Sequence, residues 1–213
     1  VLEAVVRAVE DAGLKLEALR GQPVGVFVGV EDSGFEAYVP GDSAAGVTTG
    51  LASAAGRVSY LLDFRGPSVA IDTACSSSLS AFHQACAALR NQDCDLAIVA
   101  GTKCILDGSS FPLLYATGAL ARDGACKTFD ASANGYGRGE GCAAFVIRRA
   151  SESNKAPWVL ARIRGSALTH DGKSQGYTAP NGVAQQSTFR KALLKAGVSP
   201  GELAFVEAHG TGT

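Results

Sequence analysis

Apolar residues along the chain form short continuous runs and helical stripes. Three runs are nearly uninterrupted: residues 24–30, 69–71 and 95–101. Runs of this length are typical of strands buried on both faces of a parallel sheet. Helical spacing of apolar positions predicts one helix that ends at Gly13 and another over residues 51–62. The pattern therefore predicts an α/β protein in which helices connect parallel strands.

The most informative stretch lies between the second and third runs. Residues 69–71 are followed closely by Leu79, Phe82, Cys86 and Leu89, which have the spacing of one helix face. Because a helix connects the two runs, we expect parallel strands joined by a right-handed crossover. The junction is Asp72-Thr-Ala-Cys75, and three serines follow it. Cys75 is therefore predicted at the entrance of a helix, at the edge of the sheet.

A cysteine at this position has a chemical use. The first backbone N–H groups of a helix lack intrahelical partners, and the positive end of the helix dipole favours an anion. We interpret Cys75 as a thiolate nucleophile whose neighbouring N–H groups stabilise the oxyanion of a thioester carbonyl. The alternative is a small, buried, inert thiol. We expect that role for the other five cysteines: Cys86, Cys94, Cys104, Cys126 and Cys142.

A catalytic thiolate commonly works with a histidine, and the chain has three. His83 lies eight residues after Cys75, about 12 Å further along a continuous helix, which excludes a hydrogen bond between them. His170 falls in a polar turn. His209 follows an apolar run at 203–207 that predicts a strand, so it belongs at a strand's carboxyl end, where the sites of α/β sheets gather. His209 is therefore the predicted partner.

The carboxyl-terminal third predicts further elements. Residues 142–149 and 158–165 are predicted as strands that pair in a hairpin across residues 150–157. A helix over residues 185–196 is closed by Gly197, and its end resembles residues 8–14. Chance or a duplicated half-domain would explain this echo. The glycines between residues 135 and 141 lack the spacing of a phosphate-binding loop, so we expect a tight turn there.

Composition narrows the class of protein. The 213 residues are 46% hydrophobic with a net charge of −1, which argues against nucleic acid or an anionic membrane surface as the partner. The cysteine spacing fits neither a zinc site nor a redox motif, so we expect reduced thiols, no bound metal and a cytoplasmic location. The chain has no methionine, no signal peptide and no transmembrane run. We expect it to be an excerpt of a longer protein.

Two motifs carry a family resemblance. Asp72-Thr-Ala-Cys-Ser-Ser-Ser78 and Glu207-Ala-His-Gly-Thr-Gly-Thr213 resemble signatures of β-ketoacyl synthases, specifically the ketosynthase domains of type I polyketide synthases. Further matches follow in the family's order: Gly56-Arg-Val-Ser-Tyr60, Gly66-Pro-Ser68, Lys127-Thr-Phe-Asp130, Gly135-Tyr136 with Arg138-Gly-Glu-Gly141, and Asp171-Gly172 with Thr178-Ala-Pro180. The resemblance covers essentially the whole chain.

The resemblance implies the thiolase fold, a five-layered α-β-α-β-α sandwich of two similar halves, here truncated in the second half. Residues 1–150 would form the nucleophile half, and residues 151–213 its end and the start of the other half. Cys75 would accept an acyl group from an acyl carrier protein and condense it with a malonyl-type extender after decarboxylation. His209 would assist decarboxylation, and Thr211 and Thr213 would contact the phosphopantetheine arm of the carrier.

The resemblance also implies a homodimeric parent and no cofactor beyond the carrier's own arm. Two departures accompany it. The family's second histidine and a lysine upstream of it lie beyond residue 213, so we expect these residues alone to be inactive and not compactly folded. Residues 101–104 read Gly-Thr-Lys-Cys, where relatives commonly have glycine, valine and asparagine.

Several alternatives remain open at this point. They are a ketosynthase of a multifunctional fatty acid synthase, a thiolase, a cysteine hydrolase, and a non-catalytic ketosynthase-like subunit. Proteins of that last kind typically replace the nucleophile, whereas this chain has Cys75.

Overall fold

The computed structural model describes residues 1–38, 49–150 and 159–213. Four strands form one sheet in the order β2-β1-β3-β4. They are β1 (Val24–Val30), β2 (Ser68–Ile71), β3 (Leu96–Lys103) and β4 (Gly141–Arg148). Strand β1 is parallel to both β2 and β3, and β4 is antiparallel to β3. The strands on either side of the nucleophile helix are therefore parallel, as predicted, with β1 lying between them.

Six α-helices accompany the sheet in the described ranges. They are α1 (Leu2–Asp11), α2 (Leu16–Leu19), α3 (Ser53–Leu62), α4 (Ser77–Asn91), α5 (Ser110–Ala116) and α6 (Gly182–Ala196). Short 3₁₀ turns occupy Phe35–Tyr38 and Pro200–Glu202. Gly13 and Gly197 follow α1 and α6 with positive φ angles of 69° and 62°, so both predicted glycine endings are confirmed.

Two apolar cores lie on opposite faces of the sheet. One contains Val5 and Val9 of α1 and Val58 of α3, which pack against alternate residues of β1 and β3. The other contains Phe27 and Val99 of the sheet together with the buried face of α4. Strand β1 is buried along nearly its whole length, as its sequence predicts. The described amino-terminal region is thus a layer of helices, a sheet and a second layer of helix.

The buried face of α4 differs from the predicted stripe. Leu79 is 75% exposed, whereas Ala81, Ala85 and Ala88 are buried against the sheet together with Leu89. Small alanine side chains let the helix axis approach the strands closely, so the face with the smallest residues turns inward. Of the predicted stripe, Cys86 and Leu89 are therefore confirmed on the buried face, whereas Leu79 is not.

Two predicted strands are absent from the described residues. Residues 159–165 and 203–207 have no strand pairing, and residues 151–158, which would hold most of the predicted hairpin turn, lie outside the described ranges. Strand β4 pairs with β3 and forms the edge of the sheet, so the hairpin with residues 159–165 does not form. An apolar run becomes a strand only where a neighbour supplies hydrogen bonds. Neither segment has such a neighbour in the part of the chain that the structure describes.

Residues 164–171 instead lie along α6. The backbone of Gly165 approaches α6 so closely that a Cβ there would lie 2.5 Å from the amide nitrogen of Ala196. Further along, Thr169 and Thr188 share a hydroxyl hydrogen bond, and the backbone N–H of Asn181 donates to Asp171 at 2.9 Å. Residues 164–171 are therefore an extended segment that contacts one helix without burying its side chains.

Candidate active site

The turn between β2 and α4 presents the Cys75 side chain to solvent. Cys75 is exposed and directly precedes Ser76, the residue that caps the 15-residue helix α4. Ala74 has a left-handed φ of 54°, which costs a residue with a Cβ about 1 kcal/mol. Its backbone N–H donates to Asp72 Oδ1 at 3.0 Å. The sharp turn therefore rests on a local side-chain contact, and it places the thiol ahead of the helix.

Hydroxyl groups hold the rest of this turn. Ser77 Oγ accepts a hydrogen bond from the Thr73 backbone N–H at 2.9 Å and donates to the Ala74 carbonyl at 2.6 Å. Ser76 Oγ donates to the Thr73 carbonyl at 2.9 Å. The Thr73 and Ser80 hydroxyls lie 3.0 Å apart. Ser77 and Ser80 are buried, so these bonds also satisfy hydroxyls that water does not reach.

Two glycines bring the start of α4 onto the sheet. Gly29 of β1 and Gly101 of β3 are register partners. A Cβ on Gly29 would lie 2.6 Å from the backbone nitrogen of Ser78, and a Cβ on Gly101 would overlap the Ser78 hydroxyl. The helix entrance therefore lies directly against the carboxyl ends of the two central strands. Sequence reasoning missed both glycines, although each one lies at or next to the carboxyl end of a buried apolar run.

The arrangement at Cys75 suits nucleophilic chemistry. The positive end of the α4 dipole lies next to the thiol and stabilises negative charge on the sulfur or on a bound carbonyl oxygen. The site is also rigid, because the bonds of Thr73, Ser76 and Ser77 fix the backbone on both sides of the cysteine. Such a turn can present a sulfur to an incoming thioester in one orientation.

All six cysteines are free thiols, but they differ in exposure. Cys86 and Cys94 are buried, and burial raises the pKa of each thiol. Cys104, Cys126 and Cys142 are exposed. The prediction that five cysteines are buried was therefore wrong for three of them, because β4 is an edge strand and the other two lie in loops. Exposure alone does not distinguish Cys75.

The three histidines have different surroundings. His83 Nδ1 lies 2.8 Å from Ser166 Oγ, and burial, with added effects of Lys195 and Arg90, lowers the pKa of its ring. His170 Nδ1 accepts a hydrogen bond from the Gly172 N–H at 2.8 Å. His209 is exposed. Within the described ranges, neither the His209 ring nor the Cys75 thiol forms a hydrogen bond, and no described contact joins the two, so their catalytic roles stay predictions.

The segment that follows His209 is anchored through its backbone. The Gly212 carbonyl accepts a hydrogen bond from the Gly135 N–H at 3.0 Å, and the Thr128 hydroxyl donates to the Gly210 carbonyl. The hydroxyls of Thr211 and Thr213 lie 2.8 Å apart, so the structure brings these two predicted site residues together. Thr128 and Gly135 both fall in motifs of the family resemblance. Sequence reasoning gave neither motif a function at the site.

A polar cleft lies at the carboxyl ends of β1 and β3. Lys103, in the stretch where the chain departs from common family residues, pairs with Glu31 at 2.7 Å and donates to the Asp32 carbonyl at 3.3 Å. On the far wall, the Arg138 guanidinium stacks over the Phe111 ring at 5.2 Å. The carboxylate of Glu31 therefore balances the positive charge of Lys103, a residue at which this chain differs from common family members.

The described residues contain neither a metal-binding cluster nor a membrane-spanning helix. Across residues 1–38, 49–150 and 159–213, no three His, Cys, Asp or Glu side chains are grouped so as to hold a metal ion. In the same ranges, no helix has both the length and the apolar character needed to cross a membrane.

Comparisons with known proteins identify the family. Residues 1–153 match the family model for the β-ketoacyl synthase N-terminal domain, and residues 160–213 match that for the β-ketoacyl synthase C-terminal domain. The chain is 45% identical to a phenolphthiocerol/phthiocerol polyketide synthase of Mycobacterium bovis, and 44% identical to erythronolide synthase EryA3 of Saccharopolyspora erythraea. All of the chain aligns in both cases, but with only 12% and 7% of those proteins.

Solved structures agree. The ketosynthase from module 6 of the bacillaene synthase of Bacillus subtilis matches with a TM-score of 0.88 at 36% identity. An oxazolomycin ketosynthase domain of Streptomyces albus matches with a TM-score of 0.89 at 37% identity. Each match includes the whole chain and 37% or 38% of the solved chain. The fold predicted from the family resemblance is therefore confirmed, and the chain belongs to the β-ketoacyl synthase family, among the ketosynthase domains of type I polyketide synthases.

Proposed function

We propose that this chain carries the nucleophile-bearing part of a β-ketoacyl synthase that acts in polyketide biosynthesis. The observation that supports the proposal most strongly is the Cys75 turn. It combines an exposed thiol, a backbone fixed by hydroxyl groups, and the amino-terminal end of α4. Family membership and polyketide synthase relatives point to the same chemistry.

The reaction begins with acyl transfer. The Cys75 thiolate attacks the carbonyl carbon of an acyl thioester on the phosphopantetheine arm of an acyl carrier protein. The tetrahedral oxyanion forms next to the positive end of α4, which stabilises it. When it collapses, the carrier sulfur leaves as a thiolate, which takes up a proton from water, and the acyl group remains on Cys75. The enzyme needs no cofactor of its own for this step.

Carbon–carbon bond formation follows. A malonyl-type thioester on the carrier loses carbon dioxide, and the electron pair of the broken bond forms an enolate. His209 donates a hydrogen bond to the developing enolate oxygen and so lowers the barrier to decarboxylation. The enolate carbon attacks the acyl carbon, Cys75 leaves as a thiolate, and the carrier holds the β-ketoacyl product. Thr211 and Thr213 hold the phosphopantetheine arm during this step.

Acyl transfer and condensation can be measured separately in the protein that carries this chain. Cys75→Ala should abolish acyl transfer, measured as loss of the acyl adduct by mass spectrometry. His209→Ala should retain acyl transfer but lower condensation about 100-fold. His170→Ala is the matched control, since His170 caps a turn with its ring, and it should condense at nearly the wild-type rate.

The proposal fails if water resolves the acyl-cysteine without a new carbon–carbon bond, which would indicate a cysteine hydrolase. It also fails if His209→Ala loses acyl transfer while malonyl decarboxylation persists, because the two roles would then be reversed.

A further inference from the structure

The segment after His209 contacts one loop of the amino-terminal region. Thr128 Oγ1 donates to the carbonyl of Gly210, which is the residue immediately after His209. The Gly135 N–H donates to the Gly212 carbonyl at 3.0 Å. Both bonds join residues that are far apart in the chain. The loop over residues 123–135 therefore holds the backbone of the histidine segment at two successive points.

The contact leaves no room for side chains. A Cβ on Gly212 would lie 2.8 Å from the Lys127 backbone nitrogen, and a Cβ on Gly210 would lie 2.8 Å from the Thr128 Cγ2. Both glycines have positive φ angles, 76° at Gly212 and 56° at Gly210. Glycine therefore allows the close approach, but it also makes the free segment flexible. Contacts with another part of the chain therefore have to restrict the conformation of this segment.

The Lys127 side chain fixes the loop from the other side. Its ammonium group lies 2.7 Å from Asp123 Oδ2 and donates to Asn134 Oδ1 at 2.7 Å. The side chain is only 23% exposed, although its partner Asp123 lies near solvent. One cation thus joins the two ends of the loop, next to the residues that contact Gly210 and Gly212.

We propose that Thr128 is a positioning residue for His209, and that Lys127 holds the loop from which Thr128 acts. This inference rests on the proposed role of His209 in decarboxylation. The Thr128 hydroxyl fixes the peptide after Gly210, one residue beyond His209, and so restricts the backbone orientations that His209 can adopt. Misplacing a catalytic group by about 1 Å costs on the order of 100-fold in rate. Thr128 touches no reacting atom, so it acts through the backbone of the segment that it anchors.

The test uses Thr128→Val, which keeps the shape of the side chain and removes its hydroxyl. In the protein that carries this chain, we expect the kcat of decarboxylation and condensation to fall at least about 10-fold, a larger change than any rise in the KM for the malonyl carrier. Acyl transfer to Cys75 should stay at the wild-type rate. Thr128→Ser restores the hydroxyl and should restore most of the kcat.

Thr117→Val is the matched control. The Thr117 hydroxyl also donates to a backbone carbonyl, that of Leu114 at 2.9 Å, but it lies at the end of α5 and has no described hydrogen bond to the histidine segment. Its removal should leave both half-reactions unchanged. Lys127→Met provides a second route if Thr128→Val folds poorly, and it should give the same split between condensation and acyl transfer.

Three results would overturn the inference. They are an unchanged condensation rate in Thr128→Val, an equal loss of acyl transfer and condensation, or no rescue by Thr128→Ser. A failure of the proposed function gives a different result. In that case His209→Ala, with residues 123–135 unchanged, would leave condensation unchanged or remove acyl transfer.

Discussion

The amino-terminal and carboxyl-terminal regions of this chain use similar apolar patterns with different results. In the first region, β1 and β3 are enclosed by helices, and many of the most deeply buried side chains belong to these strands. In the second, residues 159–213 contain no buried residue, although the structure describes all of them. Leu160 is 92% exposed and Phe205 is 80% exposed. Burial therefore depends on what a segment can pack against as well as on its own composition.

The first prediction tests this contrast with two aliphatic truncations. Ile98 of β3 is fully buried, so Ile98→Ala should lower the free energy of unfolding by about 4 kcal/mol through lost burial and a cavity. Leu160→Ala removes a side chain that is already in water, so its effect should stay within about 0.5 kcal/mol. Urea unfolding of the protein that carries this chain measures both changes in free energy. Similar losses in the two variants would mean that the carboxyl-terminal region is packed after all.

The same contrast explains how far the sequence could predict the fold. The runs at 24–30 and 95–101 become strands as predicted, because two neighbouring strands and two helix layers are available to them. The runs at 159–165 and 203–207 are also largely apolar, although they include charged residues, and they have no pairing partner among the described residues. A local pattern contains no information about its neighbours, so these two predictions failed.

The candidate site shows a similar limit. The helix entrance at Cys75 follows from a strand and a helix stripe that adjoin in sequence. The Gly29–Gly101 pair and the Thr128–Gly210 bond join distant segments, and only the folded chain shows them. Motif matching marked Lys127 and Gly135 as family residues, but it gave no reason for their presence. The structure supplies one, because both contact the segment after His209.

A second prediction concerns two glycines, one packed and one open. A Cβ at Gly29 would meet the backbone of α4, which cannot move aside like the end of a flexible side chain. Gly29→Ala should therefore cost about 3 kcal/mol. Gly56 lies exposed within α3, where a Cβ would meet nothing within 4 Å. Gly56→Ala should stabilise the protein by about 1 kcal/mol through helix propensity. Changes of opposite sign in the free energy of urea unfolding would support the packing of α4 on Gly29. A Gly29→Ala variant as stable as the wild type would contradict it.

The smallest expected effect is a change in the titration of Asp123. A hydrogen bond from Lys127 is the main cause that lowers the pKa of this carboxyl below its usual value. Because the pKa is lowered in the folded state, the contact stabilises the fold at pH values above the unfolded pKa, about 3.9. This stabilisation is lost as the pH falls through the folded pKa. Lys127→Met should raise the titration midpoint of the Asp123 carboxyl toward its unfolded value. NMR of the carboxyl carbon measures this midpoint.

Asp130 is the internal control for that titration. Ser132 is the main cause that lowers the pKa of its carboxyl, and Lys127 contributes least. Its midpoint should therefore move much less in the same variant. Equal shifts at the two carboxylates would show that Lys127 acts by general charge and not through the loop contact.

The central claim is that the turn before α4 makes Cys75 a nucleophile, and the most direct measurement compares it with the other exposed thiols. The protein that carries this chain should be treated with an acyl thioester at neutral pH, and each cysteine peptide followed by mass spectrometry. We predict acylation of Cys75 at least about tenfold faster than that of Cys104, Cys126 or Cys142, with the difference lost in urea. Equal rates at the four exposed cysteines in the folded protein would contradict the account.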